Sequence, residues 1–447
     1  MVRLALQFSE SFKSWMMDKA THFRDCLKIV EQAQWKKQEE LQNTQLKLIQ
    51  TLLDYSSKRI PYYADLFRRV GFKPARIKQI DDITEIPIST KPTLRRVYPQ
   101  SIYVKSNWLD MTSRTSGSAG DPLESMIDGK THGWHIANEL LFDSWMGIKP
   151  WEPWLRISSH SGLMDSIRAR ILNSEIVVPI ELTTRTKFSK LIAEIDHHRP
   201  AGLLGFPSSL ALLAYHMRES GHRLKHVLKG VVGSGETFPS YQKRLVREVL
   251  SENIYDRYGL TEFGGHLAQD CERHVGLHIN PLLVHVEVVK NGEPAKPGET
   301  GTLLLTDLRN YAMPLIRYDT GDIGSVHYGC ECGRSFPVLR DLSGRVNEYM
   351  LTRLGELPAV AVTVKFGLGF EKEIRDFQFL QLADGAVDLK IVPRTACGKD
   401  LKDRITKFLN TYLEDFEIEN VQQINSEPSG KKPSFKSMRQ KPNDVFS

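Results

Sequence analysis

Hydrophobic residues recur at helical spacing in the N-terminal part of the chain. One apolar stripe contains Phe23, Leu27 and Val30, and a second runs through residues 46–53. A repeat near 3.6 residues places such positions on one face of a helix. The pattern predicts helices that cover a larger core, and we assign this helical cover to residues 1–75.

A different rhythm follows between residues 166 and 235. Short apolar runs, such as 176–179 and 202–206, alternate with segments of helical periodicity, such as 187–198 and 208–220. Alternation of this kind predicts an α/β fold with a mostly parallel sheet and helices on its faces. In such folds, binding residues gather beyond the carboxyl ends of the strands.

The pattern changes again farther along the chain. Short strands separated by turns, with the hairpin signal Asn291-Gly292, predict an antiparallel part. The last segment has its own strand and helix candidates at 389–392 and 401–413, which predict a separate small domain. The tail from residue 425 is rich in Pro, Ser and Lys, a composition typical of disorder.

Bulk composition narrows the functional classes without selecting one. The 447 residues include 60 basic and 54 acidic side chains, and the net charge of +6 is spread along the chain. A dispersed excess of this size does not favour nucleic acid or a membrane as partner, and we expect neither. No apolar run approaches the roughly 18 residues of a spanning helix, and five widely spaced cysteines predict no disulfide framework. A cytoplasmic setting is predicted, and oligomeric state is not indicated.

Small and hydroxylated residues are concentrated between positions 114 and 122 (RTSGSAGDP), with flanks that are predicted to be extended. Backbone N–H groups and hydroxyls on one concave side of such a loop suit the oxygens of a polyphosphate. Glycine permits the close approach. A Ser/Gly-rich surface turn is the other interpretation. The glycine spacing excludes a dinucleotide fingerprint, and no Gly-Lys-Ser/Thr closes a Walker loop.

Five short motifs follow this loop. They are Gly235-Glu236, Tyr258-Gly259-Leu260-Thr261-Glu262, Tyr318-Asp319-Thr320-Gly321-Asp322, Gly344-Arg345 and Ser429-Gly430-Lys431. In this order, the loop and the motifs resemble the adenylate-forming superfamily, and most closely its phenylacetate–CoA ligase-like branch with the capsule-biosynthesis-type relatives. The resemblance covers about residues 101–432. Each motif alone is weak evidence for this family, but the occurrence of all five in this order argues against coincidence.

The resemblance implies a fold and a reaction. The fold is α/β, with a large multi-subdomain N-terminal adenylation domain over 1–346, built from mostly parallel sheets and a small β subdomain. A small mobile α+β domain over 347–447 follows it. The reaction is activation of a carboxylic acid by ATP as an acyl-adenylate, with release of pyrophosphate, and then acyl transfer with coenzyme A as the first expected acceptor. An amine or hydroxyl acceptor, or a non-catalytic nucleotide-binding module, is the alternative.

Site residues are carried over at the positions that match the motifs. The predicted catalytic residues are Lys431, Thr261 and Glu262. The predicted nucleotide-binding residues are Thr115, Ser116, Gly117, Ser118, Gly120, Gly235, Glu236, Tyr258, Gly259, Asp322 and Arg345. Glu262 would bind Mg²⁺, a cation that prefers oxygen ligands.

The chemistry explains why these residue types are needed. A carboxylate and a triphosphate are both anions, so the protein must supply positive charge at the α-phosphorus and fix the line of attack. Lys431 would bridge the two as a compact charge, with its neighbour Lys432 as the alternative. Asp322 would accept both ribose hydroxyls, and the ring of Tyr258 would stack on adenine.

Cysteine spacing indicates a second site. Cys330 and Cys332 are predicted to lie in a tight turn, and Cys271 precedes His278 by seven residues. Three thiols and one imidazole would complete a tetrahedral zinc site with no open position, so zinc would be structural. Members of the same ligase branch look similar here, and unpaired core cysteines are the other interpretation. The rival ligands are His266 and His274, and Cys26 and Cys397 are left over as expected buried thiols.

Some departures from the family pattern leave the acceptor and the substrate open. Asp121 stands where Lys is common, Asn347 replaces an Asp, and residues 354–357 lack a loop that often serves the thiol step. The candidates for the acid pocket are Phe206, Ser208, Trp134 and His160. Aromatic acids are the first expectation by resemblance.

Overall fold

The computed structural model describes residues 18, 21–105, 110–114, 123–150, 152–158, 175–183, 187–343, 349–353, 355–370, 372–395, 397–425 and 433–438. These residues form ten α-helices: α1 Phe23–Ala33, α2 Gln38–Arg59, α3 Pro61–Arg69, α4 Lys91–Val97, α5 Gly129–Trp145, α6 Phe188–His198, α7 Pro207–Ser220, α8 Ser240–Val249, α9 Ala359–Gly369 and α10 Lys399–Tyr412. Among the same residues, no helix is long and apolar enough to cross a membrane.

The described residues also form twenty strands. They are β1 Met111–Arg114, β2 Glu124–Ile127, β3 Trp154–Ser158, β4 Glu175–Pro179, β5 Gly202–Gly205, β6 Gly230–Ser234, β7 Ile254–Leu260, β8 Gly265–Asp270, β9 Leu277–Ile279, β10 Val284–Lys290, β11 Glu293–Pro294, β12 Gly301–Asp307, β13 Tyr318–His327, β14 Val338–Ser343, β15 Tyr349–Thr352, β16 Gly355–Pro358, β17 Ile374–Gln381, β18 Val387–Pro393, β19 Phe416–Asn420 and β20 Phe435–Ser437.

Local sequence signals set the ends of several helices. Thr90 caps α4 by accepting a hydrogen bond from the backbone of Thr93, and Asp128 caps α5 in the same way at 2.8 Å from the N–H of Thr131. Pro61 begins α3 and Pro207 begins α7, where a missing N–H costs nothing. The helical cover predicted at the N-terminus consists of α1, the 22-residue α2 and α3, and residues 1–17 lie outside the described part.

Twelve of the described strands form one mixed sheet in the order β11-β10-β12-β13-β14-β9-β8-β7-β6-β5-β3-β4. Pairing is parallel from β4 to β7 and antiparallel from β7 to β11. The predicted parallel and antiparallel parts are thus halves of one sheet, and the α/β class is confirmed. The change of direction follows from tight turns, such as Gly264 with φ 80° between β7 and β8, which leave no room for a crossover helix.

The C-terminal part of the described chain has its own core. Strands β17–β20 form a four-stranded sheet, and Phe366, Phe379 and Ile405 are buried against it. Phe435 of β20 joins this core, so the prediction of disorder from composition is wrong for 433–438. A buried aromatic side chain and strand pairing outweigh the polar composition there. The boundary at 346/347 lies outside the described residues and remains a prediction.

This C-terminal part packs on the N-terminal part around Tyr241 of α8. A methyl group placed on Gly367 of α9 would lie 2.6 Å from the ring of Tyr241, so only glycine leaves room for it. Nearby, the guanidinium of Arg394 lies 4.8 Å from the ring centre of Tyr215 on α7. The C-terminal part is therefore in close contact with the N-terminal part at Tyr241 and Tyr215.

Candidate active site and metal centre

Three parallel strands end at one edge of the sheet, and predicted site residues follow each of them. Ser208 comes after β5, Gly235 and Glu236 come after β6, and Thr261 and Glu262 come after β7. The carboxylate of Glu236 accepts a hydrogen bond of 3.1 Å from the backbone of Ser208, and Gly235 adopts φ 82°. The carboxyl edge of the sheet thus brings these predicted residues together.

Glu262 lies in a tight turn, Thr261–Phe263, with its side chain buried. Its Oε1 accepts a hydrogen bond of 3.0 Å from the hydroxyl of Tyr318, and the ammonium of Lys91 lies 3.7 Å away. A buried carboxylate oxygen that already lies near a positive charge is the kind of oxygen ligand that Mg²⁺ prefers. This geometry fits a magnesium ligand.

Lys91 is a functional candidate that the sequence analysis missed. It stands at the start of α4, directly after the capping residue Thr90. Ser89 pairs with the first residue of β13, Tyr318, through an isolated bridge, and this pairing carries Lys91 to Glu262. The capping residue and the proline indicate a helix start in the sequence, but no local pattern shows that this segment pairs with β13.

Tyr258 and Asp322 are brought together from different motifs. The hydroxyl of Tyr258 donates a hydrogen bond of 2.6 Å to Oδ2 of Asp322. Burial and the neighbouring carboxylate raise the pKa of Tyr258 well above its ordinary value of 10.0, so the phenol stays a donor. The backbone of Asp322 is held in turn by the hydroxyl of Thr320 at 3.0 Å. The carboxylate therefore has a fixed orientation beside the ring of Tyr258.

Gly259 has a packing reason to be glycine. A methyl group there would lie 2.6 Å from the carbonyl oxygen of Gly265. Two backbones cross at this point between β7 and β8, so any side chain would push them apart. The close approach keeps the Thr261–Phe263 turn next to β8.

The phosphate-binding loop itself lies outside the described residues, but its two ends are described. Strands β1 and β2 precede and follow the loop, as predicted from its extended flanks, and they pair antiparallel with each other. Both strands contact the Thr261–Phe263 turn. The hairpin that carries the loop therefore packs against the turn that holds Glu262.

Several predicted positions cannot be placed. They are Thr115, Ser116, Gly117, Ser118 and Gly120 of the loop, His160 of the acid pocket, Arg345 and Asn347 of the hinge, and Lys431 of the tail, all outside the described residues. Trp134 is described and lies against Arg309, whose guanidinium is 3.5 Å from its ring centre. Phe206 is the N-cap residue of α7 and directly precedes Pro207.

The four predicted zinc ligands meet in space. The ligand atoms of Cys271, His278, Cys330 and Cys332 all lie within 4.8 Å of one another. The sulfurs of Cys271 and Cys330 are 3.8 Å apart, and Nε2 of His278 is 3.4 Å from the sulfur of Cys332. A tetrahedron with zinc–sulfur bonds of about 2.3 Å has edges of about 3.8 Å, so these distances fit a zinc ion.

The imidazole of His278 is oriented for metal binding. Its Nδ1 donates a hydrogen bond of 3.0 Å to the carbonyl oxygen of Phe336, which leaves the lone pair of Nε2 pointing at the three sulfurs. Burial raises the pKa of Cys271 to about 12. A thiol in such a place loses its proton only to a strong cation.

The structure shows which of the predicted and rival residues join the cysteine–histidine cluster. Nδ1 of His274 bonds to Asp270 at 2.7 Å, and His266 bonds to Glu139 at 3.0 Å, so neither histidine joins the four-residue cluster. Cys26 is buried as predicted, whereas Cys397 is only half-buried because it lies beside the start of α10.

Comparison with known proteins finds similarity to AMP-binding enzymes and to phenylacetate-coenzyme A ligases. A family model described as AMP-binding enzyme matches residues 162–308. The phenylacetate-coenzyme A ligase of Thermus thermophilus is 28% identical over 331 residues, which cover 70% of this chain and 72% of that protein. The chain is thus similar to phenylacetate-coenzyme A ligases over about 70% of its length. The phenylacetate-coenzyme A ligase of Escherichia coli is 25% identical over 336 residues, with coverage of 70% and 73%.

Solved structures of this type confirm the fold. A 2-hydroxyisobutyryl-CoA ligase in the postadenylation state, in complex with R3-HIB-AMP, superposes with a TM-score of 0.75 at 19% identity over 92% of both chains. The same ligase in complex with 2-HIB-AMP and CoA, in the thioesterification state, gives 0.63 at 20% identity over 92% of both chains. At this identity, the likeness concerns the fold.

Proposed function

We propose that this protein activates a carboxylic acid with ATP as an acyl-adenylate, releases pyrophosphate, and transfers the acyl group to the thiol of coenzyme A. The observation that carries the proposal is the convergence of Lys91, Glu262 and Tyr318 beside the Tyr258–Asp322 pair. The matched relatives, which are phenylacetate-coenzyme A ligases, support the choice of reaction and of thiol acceptor.

In the first step, a carboxylate oxygen attacks the α-phosphorus of ATP, and the bond to the β-phosphate oxygen breaks. Pyrophosphate leaves with the electron pair. Glu262 would hold Mg²⁺, which neutralises charge on the phosphates. Lys91, displaced from Glu262 by the metal, would remain close enough to bind a phosphate oxygen, while Thr261 contacts the α-phosphate.

The adenosine would lie against the Tyr258–Asp322 pair. Tyr258 offers its ring to adenine, and Asp322 offers a carboxylate oxygen to the ribose hydroxyls. Gly235 and Glu236 would border the base at the carboxyl end of β6. The loop residues Thr115–Gly120 would bind the β- and γ-phosphates, since the β1–β2 hairpin that carries the loop packs against the Thr261–Phe263 turn.

In the second step, the thiol sulfur attacks the acyl carbonyl and AMP leaves, while the thiol proton passes to solvent. We propose that the part of the chain after residue 347 turns between the steps. Lys431 and Arg345 would serve the first step in one orientation, and departure of Lys431 would open the site to the thiol.

We also propose that the Cys271, His278, Cys330 and Cys332 cluster binds one structural zinc ion. The cluster joins two connections, one between β8 and β9 and the other between β13 and β14. Four protein ligands leave no open position, so the ion would cross-link the sheet rather than join the reaction.

The decisive experiment is ATP–pyrophosphate exchange across a panel of aromatic and aliphatic carboxylic acids, followed by product analysis with coenzyme A, amines and alcohols. We expect exchange with at least one acid and an acyl-CoA product. Glu262→Gln should lower exchange by about 100-fold, whereas the exposed control Glu252→Gln should not. Exchange with no acid would favour a non-catalytic module. An amide or ester product would show that the acceptor is an amine or a hydroxyl and not coenzyme A.

A further inference from the structure

Glu139 of α5 and His266 of β8 form an ionisable pair that the nucleotide site does not use. Nδ1 of His266 lies 3.0 Å from Oε1 of Glu139. Their side chains keep 16% and 15% exposure, so the pair is mostly buried but retains some contact with solvent. A mostly buried ionisable pair of this kind near a binding edge is a candidate for ligand contact.

A bulge turns His266 toward α5. The register of β7 against β8 shifts between Tyr258 and Gly259, and Gly259 stands opposite His266. A bulge re-aims the side chains that follow it. His266 consequently shares a face with Gln269, whose amide donates to the carbonyl of Phe142 on α5.

The pair is close to the site of the proposed reaction. Opposed residues of antiparallel strands are about 5 Å apart at their Cα atoms, and Thr261 follows Gly259 by two residues, about 7 Å along the chain. His266 is therefore within roughly 10 Å of Thr261. Gly264 and Gly265 lie between them in the chain, and the side chains of Ile127 and His135 pack beside these glycines. An acid whose carboxylate is at Thr261 would extend its organic part toward His266.

The surrounding charges favour a hydrogen-bond donor over a second anion. Arg156 is paired with Glu175 at 2.6 Å, and Arg257 is paired with Asp143 at 3.2 Å. Both arginines thus have a carboxylate of their own. Glu139 also lies in the field of these two arginines, and among the described side chains it adds one negative charge more than they offset, which disfavours an anionic substituent and attracts a donor.

The histidine supplies the acceptor. Burial lowers the pKa of His266 below its ordinary value of 6.5, so the imidazole is neutral near pH 7. Burial acts to raise the pKa of Glu139, but the hydrogen bond to His266 and the nearby arginines outweigh it and keep the group ionised. With Nδ1 donating to Glu139, Nε2 is left as an acceptor, and no described side chain hydrogen-bonds to it.

We infer that the Glu139–His266 pair forms the far wall of the acid pocket and selects carboxylic acids whose organic part carries a hydroxyl or amino group. The inference rests on the proposed function and deepens it. An unsubstituted acid would leave Nε2 of His266 without a partner when the pocket closes, which weakens its binding in both ground and transition states.

The test uses the same exchange assay with matched acids: phenylacetate, its three monohydroxy isomers and its three amino isomers. We expect the wild-type protein to prefer one substituted isomer by about tenfold or more in kcat/KM. His266→Leu and Glu139→Gln should abolish this preference while the KM for ATP stays unchanged. His198→Leu, which removes an exposed histidine paired with Glu194, should keep the preference.

The outcomes separate this inference from the proposed function. Exchange that ignores the substituent overturns the inference alone, and exchange with no acid overturns both. Equal loss for all acids in His266→Leu would also count against it. Removal of one partner can destabilise a buried pair. The double variant Glu139→Leu/His266→Leu removes both partners together and avoids this problem. The preference of the wild-type protein is a further readout that needs no variant to fold.

Discussion

The nucleotide site and the cysteine–histidine cluster are both assembled from distant segments, yet they are held in different ways. The cluster ligands approach one another directly, within 4.8 Å. In the nucleotide site, Tyr258 holds Asp322 and Tyr318 holds Glu262, while the predicted contacts of Lys431 and the phosphate loop come from segments outside the described residues. A fixed cross-link can be complete before its ion arrives, whereas a reaction site must exchange partners.

Strand pairing explains the difference. Val338 pairs with His278, so β9 and β14 bring the two cluster connections together within one sheet. The nucleotide site instead spans the carboxyl edge of the parallel half, the antiparallel strand β13 and a C-terminal segment. If this comparison holds, substitutions at the two sites should separate catalysis from stability.

The largest effect is expected for Lys431→Ala. Loss of the positive charge between carboxylate and α-phosphate should lower adenylation by about 1000-fold, or about 4 kcal/mol. Consumption of preformed acyl-adenylate by coenzyme A should continue, and zinc content should not change. Single-turnover assays of each half-reaction measure this. Lys432→Ala is the matched control, and equal loss of both half-reactions would contradict a lysine that serves only the first step.

A smaller effect, on stability and not on chemistry, is expected for Cys271→Ser. Metal content should fall from one zinc per chain to nearly none, and the free energy of unfolding should fall by roughly 3 kcal/mol. Elemental analysis and chemical denaturation measure the two quantities. Cys397→Ser, outside the cluster, should change neither. A stable wild-type preparation without metal would end the zinc proposal and with it the comparison.

The smallest effect is expected for Asp322→Asn. An amide keeps the size of the side chain but replaces charge-assisted hydrogen bonds to the ribose by neutral ones, so the KM for ATP should rise about tenfold. The KM for the acid should stay unchanged, and discrimination against 2′-deoxy-ATP should shrink. Asp384→Asn in an exposed turn serves as the control. An unchanged KM for ATP would place the ribose elsewhere.

Much of this site was legible from the sequence, because the motifs consist of residue types with a defined chemistry. The positions of Thr261 and Glu262 after a strand, the extended flanks of the phosphate loop and all four cluster ligands were predicted. Lys91 was not, since its neighbour Glu262 is 171 residues away and no local pattern records that pairing. His278 was predicted, but the exclusion of the rival ligands His266 and His274 needed the structure.

The sequence by itself determined which side chains are available and which periods and turns the chain follows, because those depend on neighbours within a few residues. Only the tertiary structure decided that Lys91 faces Glu262, that Tyr258 holds Asp322, and that a bulge turns His266 toward Glu139. Such contacts depend on strand register and on packing between distant segments, and the energy that selects them appears only when the whole sheet is formed.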